Sequence, residues 1–182
     1  MLNIGEKAPS FKLDTVSSLS SLPIPTTLED YKGKWLLLFF YPFDFSIVCP
    51  TEMKSLSSRV EAFREINTEV LAVSTDSIYT HRAWLKNEGG NGIGDLQFPL
   101  ASDFSKKVAE AYGVLHPQTT SAHRATFIID PEGIIQYAVM TNMNVGRSAD
   151  ETLRVLAALQ SGGMCPMDWK IGDDVLQSKS SY

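Results

Sequence analysis

Residues 35 to 41 read Trp-Leu-Leu-Leu-Phe-Phe-Tyr, seven apolar positions without a polar break, closed by Pro42. A strand with such a run has no face to turn toward water, so it belongs in the middle of a sheet that is covered on both sides. It is far too short to span a bilayer. The segments after it supply the cover. Met53, Leu56, Val60, Phe63 and Ile66 recur at spacings of three and four, which predicts one amphipathic helix over 50–66. "VLAVSTD" at 70–76 reads as a strand, and "SIYTHRAWLKN" reads as a helix behind the capping residues Asp76 and Ser77. "FPLASD" at 98–103 is a short strand and "FSKKVAEAYG" at 104–113 a helix. "ATFIID" and "IIQYAVM" flank the turn "PEG" as a hairpin, and "SADETLRVLAALQ" is a last helix with Ser148 as cap and Glu151 three residues on.

The resulting order, β-α-β-α-β-α-β-β-α, defines an α/β chain: a central mixed sheet flanked by helices on both faces, with an antiparallel hairpin at one edge. The first thirty residues read as an extended or hairpin lead-in ending at the Lys32-Gly33-Lys34 turn. Beyond Gly162 the chain turns polar and reads as a mobile tail. This divides the 182 residues into a domain over 1–161 and a C-terminal tail over 162–182, with no internal repeat and no linker.

Charge and composition exclude several function classes. The balance of 16 basic against 21 acidic residues, with no basic run longer than Lys106-Lys107, is unsuited to tracking phosphates, so no nucleic-acid partner is expected. The opening "MLNIGEKAPSFKL" has no basic segment followed by a long apolar core, which predicts a soluble cytoplasmic protein with no membrane partner. In a reducing compartment two cysteines serve reactivity better than a permanent staple. The three histidines lack metal-ligand spacing with either cysteine, so no metal is expected. "GGNGIG" at 89–94 follows a helix instead of joining a strand to one, which argues against a dinucleotide cofactor and for a mobile loop. Trp84 and Trp169 read as packing residues.

Cys49 is the residue that calls for an explanation. It lies where a buried strand gives way to a helix, and Pro50 follows it at once. Proline lacks an N–H and has a φ already suited to a helix, so it belongs in the first turn, with either Cys49 or Ser46 as the cap. Either placement sets the sulfur among unpaired backbone N–H groups at the positive end of the helix dipole. A free cysteine is only a few per cent ionised at neutral pH, and making it mostly thiolate requires about 2.7 kcal/mol. A helix terminus contributes about 0.3 to 1 kcal/mol, up to about 2 when partly buried, so a nearby cation is needed as well. The plain alternative is a buried, inert cysteine. Cys49-Pro50-Thr51-Glu52 lacks the second thiol of a Cys-x-x-Cys oxidoreductase, and a cysteine hydrolase would have only His123 as its base.

The segment "FYPFDFSIVCPTE" resembles the peroxidatic-cysteine segment of the typical 2-Cys peroxiredoxins, matching Pro-x-x-x-Thr/Ser-x-x-Cys through Pro42, Ser46 and Cys49. "RATFIID", "HRAWLK", "DFSKKVAEAYGVL" and "VGRSADETLRVLAALQ" resemble later parts of the same family in the same order. "MCPMDWK" resembles its resolving-cysteine segment, usually Val-Cys-Pro-Ala-Gly-Trp. The resemblance implies a thioredoxin-like fold and a thiol-dependent peroxidase for hydrogen peroxide and organic hydroperoxides, acting in antioxidant defence without a cofactor. It implies that Cys49 becomes a sulfenic acid, that Arg124 is the missing cation, and that Ser46 and Pro42 orient and shield the reaction. Glu52 and Arg147 would support the site. Cys165 would resolve the sulfenic acid as an intersubunit disulfide within a homodimer, and the dimers would assemble into a ring such as a decamer. A dithiol protein, either thioredoxin or a flavoprotein disulfide reductase, would return the electrons. A chaperone that holds unfolded clients on exposed apolar surface is a compatible second function, and it would survive Cys49→Ser.

Overall fold

The computed structural model describes residues 3–17, 22–87 and 89–177. The chain divides into two compact units, Met1–Arg147 and Ser148–Tyr182. In the first unit seven strands form one mixed sheet. They are β1 (Lys12–Val16), β2 (Ile24–Thr27), β3 (Trp35–Phe40), β4 (Thr68–Ser74), β5 (Leu100–Ser102), β6 (Arg124–Ile129) and β7 (Ile135–Thr141), in the spatial order β2-β1-β5-β4-β3-β6-β7. The strands β3, β4 and β5 run parallel, whereas β6 and β7 on one side and β1 and β2 on the other are antiparallel. The lead-in is therefore a hairpin whose first strand joins the main sheet.

The apolar run lies at the centre, as expected. Leu36 to Tyr41 are each 2% exposed or less, on both faces of the sheet. One face carries Leu36, Leu38 and Phe40 into a cluster with Val108, Ala109, Tyr112 and Phe127, in which the Phe40 and Tyr112 rings lie 5.3 Å apart. The other face carries Leu37 and Phe39, also buried. Strand order advances from β3 to β4 to β5 and then reverses to β6 on the far side of β3. The reversal falls beside β3, and α/β sheets place their ligand sites at the carboxyl ends of strands at such a point.

The connecting helices are α1 (Cys49–Ser57), α2 (Val60–Glu65), α3 (Ile78–Lys86) and α4 (Lys107–Ala111). The single helix expected over 50–66 is two, divided at Ser58 and Arg59. There the Ser58 hydroxyl and the Arg59 guanidinium both donate to the Ser55 carbonyl, drawing it away from regular helical pairing. The cap at Ser77 is as expected, its Oγ accepting from the Thr80 N–H at 3.2 Å. The helix expected over 104–113 contracts to α4. Asp103 reaches forward to accept the Ala109 N–H at 2.7 Å, and Lys106 adopts a left-handed φ of 64°, so residues 103–106 form a turn. The loop expected to be mobile at 89–94 has fixed contacts: Trp84 Nε1 donates to the Asn91 carbonyl, and Asn91 Nδ2 to the Phe45 carbonyl.

The second unit contains α5 (Ala149–Ser161), capped by Ser148 Oγ, which accepts from the Glu151 N–H at 3.1 Å. The helix ends at Gly162 in the left-handed conformation (φ 64°), the ordinary glycine stop. Beyond it, 163–177 fold into a closed loop. The Leu176 N–H donates to the Met164 carbonyl at 2.8 Å, and the buried Trp169 donates through Nε1 to the Asp173 carbonyl. A side chain at Gly163 would stand 2.8 Å from Val175, so this loop requires glycine there. The expected mobility of residues 178–182 lies outside the described residues. No described helix is long and apolar enough to cross a membrane.

Candidate active site

Strand register builds the site. Phe40, the last residue of β3, pairs with Ala125 on antiparallel β6, so Arg124 stands at the carboxyl end of β3. Arg124 in turn pairs with Thr141, the last residue of β7, and the loop 142–147 therefore arrives at the same edge. At the same edge the chain leaves β3 through Tyr41 and Pro42, both buried, and enters α1 at Cys49. Residues 49, 124 and 147 thus meet because three strands end together.

Cys49 is the first residue of α1 and is fully buried, with Pro50 following in the first turn. Neither expected cap holds this end. The cap position is Val48, already in a helical conformation (φ −86°, ψ −38°) without a capping side chain, while Ser46 Oγ donates instead to the Phe43 carbonyl at 3.1 Å. Pro50, with its fixed φ, makes a side-chain cap unnecessary for helix entry.

The cation required on electrostatic grounds is present. Arg124 is 3% exposed, and its Nη1 donates to the Cys49 sulfur at 3.2 Å and to Glu52 Oε2 at 2.7 Å. Its Nε donates to the Met143 carbonyl at 2.7 Å, and its Nη2 has no partner among the described residues. Glu52, one turn beyond Cys49, is gripped from a second side. The Arg147 backbone N–H and Nε reach Oε1 at 2.8 and 2.9 Å, and Nη2 reaches Oε2 at 3.0 Å. Arg147 also donates to the carbonyls of Phe40 and Ala125 and lies over the Phe39 ring, 3.3 Å from its centroid. It is a buried clamp, its side chain only 4% exposed. Gly146 lies beside this group, where a Cβ would meet Val48 at 3.4 Å, an ordinary van der Waals contact.

Burial pushes the Glu52 carboxyl up. The hydrogen bonds and charge of Arg147, with the charge of Arg124, outweigh that effect and hold it below the ordinary carboxylate value. Two arginines face one carboxylate and one sulfur, so the group is neutral when the sulfur is a thiolate. Among the described residues no group of three or more His, Cys, Asp or Glu side chains is placed to hold a metal.

Cys165 lies in the second unit, half-buried, with its sulfur 3.8 Å from the Ala158 carbonyl and 3.5 Å from Ser161 Oγ. Trp84 and Trp169 are buried packing residues, as expected.

A third feature escapes the motif reading. Asp44, five residues before Cys49, is buried against His81 of α3 and Tyr41, with both the Asp44 and His81 side chains fully inaccessible. The signals were an acid inside an otherwise apolar segment, "FYPFDF", and a histidine on the apolar face of a helix beside Trp84 and Leu85.

Comparison with known proteins gives the class, a thiol peroxidase. Residues 4–138 match the AhpC/TSA family. The chain is 46% identical over 176 residues to the chloroplastic 2-Cys peroxiredoxin BAS1 of Hordeum vulgare, covering 93% of this chain and 83% of that one. The crystal structure of the reduced 2-Cys peroxiredoxin of Plasmodium vivax superposes with a TM-score of 0.91 at 37% identity, covering 96% of this chain and 92% of that one. AhpC of Mycobacterium tuberculosis superposes with a TM-score of 0.80 at 35% identity, over 88% and 99% of the two chains. The chain belongs to the AhpC/TSA family.

Proposed function

We propose that Cys49 is the peroxidatic nucleophile of this thiol peroxidase and Arg124 its electrostatic partner. The observation that carries the reading is the buried Arg124 Nη1, 3.2 Å from the Cys49 sulfur and 2.7 Å from Glu52. The thiolate attacks one oxygen of a hydroperoxide. An S–O bond forms, the O–O bond breaks, and the departing oxygen leaves as water or alcohol once protonated, with Cys49 as its sulfenic acid. Negative charge moves from sulfur onto the peroxide oxygens, and a preorganised donor aimed at that charge supplies a few kcal/mol of stabilisation. The unpaired Nη2 of Arg124 is the available donor. Glu52 and Arg147 keep the guanidinium in place. Ser46, whose hydroxyl is otherwise spent on the Phe43 carbonyl, turns to the peroxide, and the buried Pro42 ring keeps water and bulky reactants from the thiolate.

Cys165 completes the cycle by attacking the sulfenic acid of a second copy of the chain, displacing water and forming an intersubunit disulfide. Since Cys49 is fully buried in the first turn of α1, that turn unwinds before the sulfurs meet. The working organisation is a peroxidase domain over 1–161 and a tail over 162–182 carrying Cys165. It acts as a homodimer that assembles into a ring of dimers in the cytoplasm, reduced by thioredoxin or a flavoprotein disulfide reductase.

Peroxide consumption with dithiothreitol, wild type against Cys49→Ser, tests the nucleophile. Full activity in the variant overturns the assignment. Gel mobility after oxidation tests the pairing: a dimer without reductant and a monomer with it supports an intersubunit disulfide, and a monomer in both with thiols lost excludes it.

A further inference from the structure

The connection from β3 to α1 carries a buried hydrogen-bonded group that the reaction as described does not use. Asp44 Oδ1 accepts from the Tyr41 hydroxyl at 2.8 Å, and Oδ2 lies 2.7 Å from His81 Nδ1. His81 Nε2 lies 3.2 Å from the Ala101 carbonyl. The Asp44 N–H donates to Asp76 Oδ2 at 3.0 Å, and Asp76 is itself held by the Ser74 hydroxyl at 2.8 Å. Asp44 is thus tied directly to Tyr41 just beyond β3, to Asp76 just beyond β4 and to His81 of α3, and through His81 to β5.

The protons can be placed from chemistry. A carbonyl only accepts, so Nε2 carries a hydrogen, and one further proton lies between Nδ1 and Oδ2. Whichever atom holds it, the group is neutral and every polar atom in it has a partner. Burial pushes the Asp44 carboxyl above its ordinary value, against the hydrogen bond and charge of His81. Removing one member leaves polar atoms in a place water does not reach, the costly kind of loss.

Four residues separate Asp44 from Cys49; the Phe45 carbonyl accepts from Asn91 Nδ2 and the Val48 carbonyl accepts from Thr51 at the start of α1, and the stretch between them has fewer ties. Phe45 takes a left-handed φ of 56°, Ser46 reaches only back to Phe43, and Ile47 is 83% exposed. The sulfur's position relative to Arg124 is therefore set from two sides, by the grip on Glu52 one turn along α1 and, on the approach from β3, by where Asp44 is fixed. We infer that Asp44, His81 and Tyr41 form a bolt that positions Cys49 against Arg124, making Asp44 and His81 positioning residues for the peroxidase reaction. This rests on Cys49 as the nucleophile.

The test compares Asp44→Asn, Asp44→Ala and His81→Ala with wild type and Cys49→Ser. An asparagine can accept from Tyr41 through Oδ1 and donate through Nδ2 to a neutral His81, so every bond survives. The expected single-turnover rate with hydrogen peroxide is within about threefold of wild type for Asp44→Asn and at least tenfold lower for Asp44→Ala and His81→Ala. In the alanine variants the pH profile of Cys49 alkylation by iodoacetamide moves to higher pH, because the sulfur has left Arg124. A merely structural role would lower the melting temperature and leave rate and profile unchanged in the folded protein, and that result overturns the inference. So does an Asp44→Asn variant as slow as Asp44→Ala. If the alanine variants fail to fold, Tyr41→Phe, which removes one hydroxyl, is expected to slow the reaction at least threefold, and an unchanged rate overturns the bolt. Cys49→Ser separates the two readings. A dead Cys49→Ser beside a normal Asp44→Ala removes only the bolt, whereas turnover by Cys49→Ser removes the nucleophile on which it rests.

Discussion

The two cysteines occupy opposite kinds of environment. Cys49 is fully buried, sits where β3 ends, and faces two arginines and a carboxylate held by at least six directed bonds. Cys165 is half-buried in a loop closed by one backbone bridge, and among the described residues its sulfur has a carbonyl and a hydroxyl within reach. On the proposed role of Cys49, a sulfur that reacts first with a small oxidant needs an environment that stabilises charge. On the proposed role of Cys165, a sulfur that reaches another sulfur needs freedom to move, and a rigid charged setting would hinder it.

The largest effect that would sharpen this contrast is catalytic. Cys49→Ser is expected to abolish peroxide turnover, while Cys165→Ser reacts once and accumulates sulfenic acid, trapped by dimedone and read by mass spectrometry. Normal turnover by Cys165→Ser with thioredoxin as reductant would erase the distinction. Arg124→Ala is next, with the rate toward peroxide at least tenfold lower and the alkylation profile of Cys49 displaced to higher pH. An unchanged rate and profile would reduce Arg124 to a structural ion-pair residue.

Stability provides the smaller tests. Arg147→Ala leaves Glu52 and two carbonyls short of donors in a buried place, and urea unfolding should show a loss of about 3 to 5 kcal/mol. Glu52 gives a test with a sign. Its folded value lies below the ordinary 4.5, so its stabilisation is present in full above that value and is lost as the pH falls through the folded one. Wild type should therefore lose stability on acidification from pH about 5 to 3 more steeply than Glu52→Gln. Equal slopes would show that the arginines do not hold the carboxylate. The smallest effect belongs to Cys165→Ser, expected to change stability by less than about 0.5 kcal/mol.

Most of the fold could be read from local pattern, because the apolar run at 35–41 admits only a central strand and the helical spacings after it are regular. The errors fell where a side chain overrode the pattern, at Ser58 dividing α1 from α2 and at Asp103 shortening α4. The first strand's place in the main sheet was not legible, since pairing with β5 is set by residues nearly ninety positions away. For the site, Cys49 announced itself through Pro50, and Arg124 through resemblance to a family segment. The bond between Asp44 and His81 joins two residues 37 positions apart, and nothing local marks them as partners.

Arg124 reaches Cys49 because Phe40 pairs with Ala125, and that pairing has only one productive register. A slip of one residue in β6 would turn every side chain of the strand to the other face. The arginine would leave the sulfur even if the sheet kept its shape and its hydrogen bonds. With Arg124 in its proposed role, peroxidase activity is a readout of strand alignment at single-residue resolution. A refolding experiment followed by activity would count only correctly threaded molecules, where circular dichroism would count misaligned ones as well.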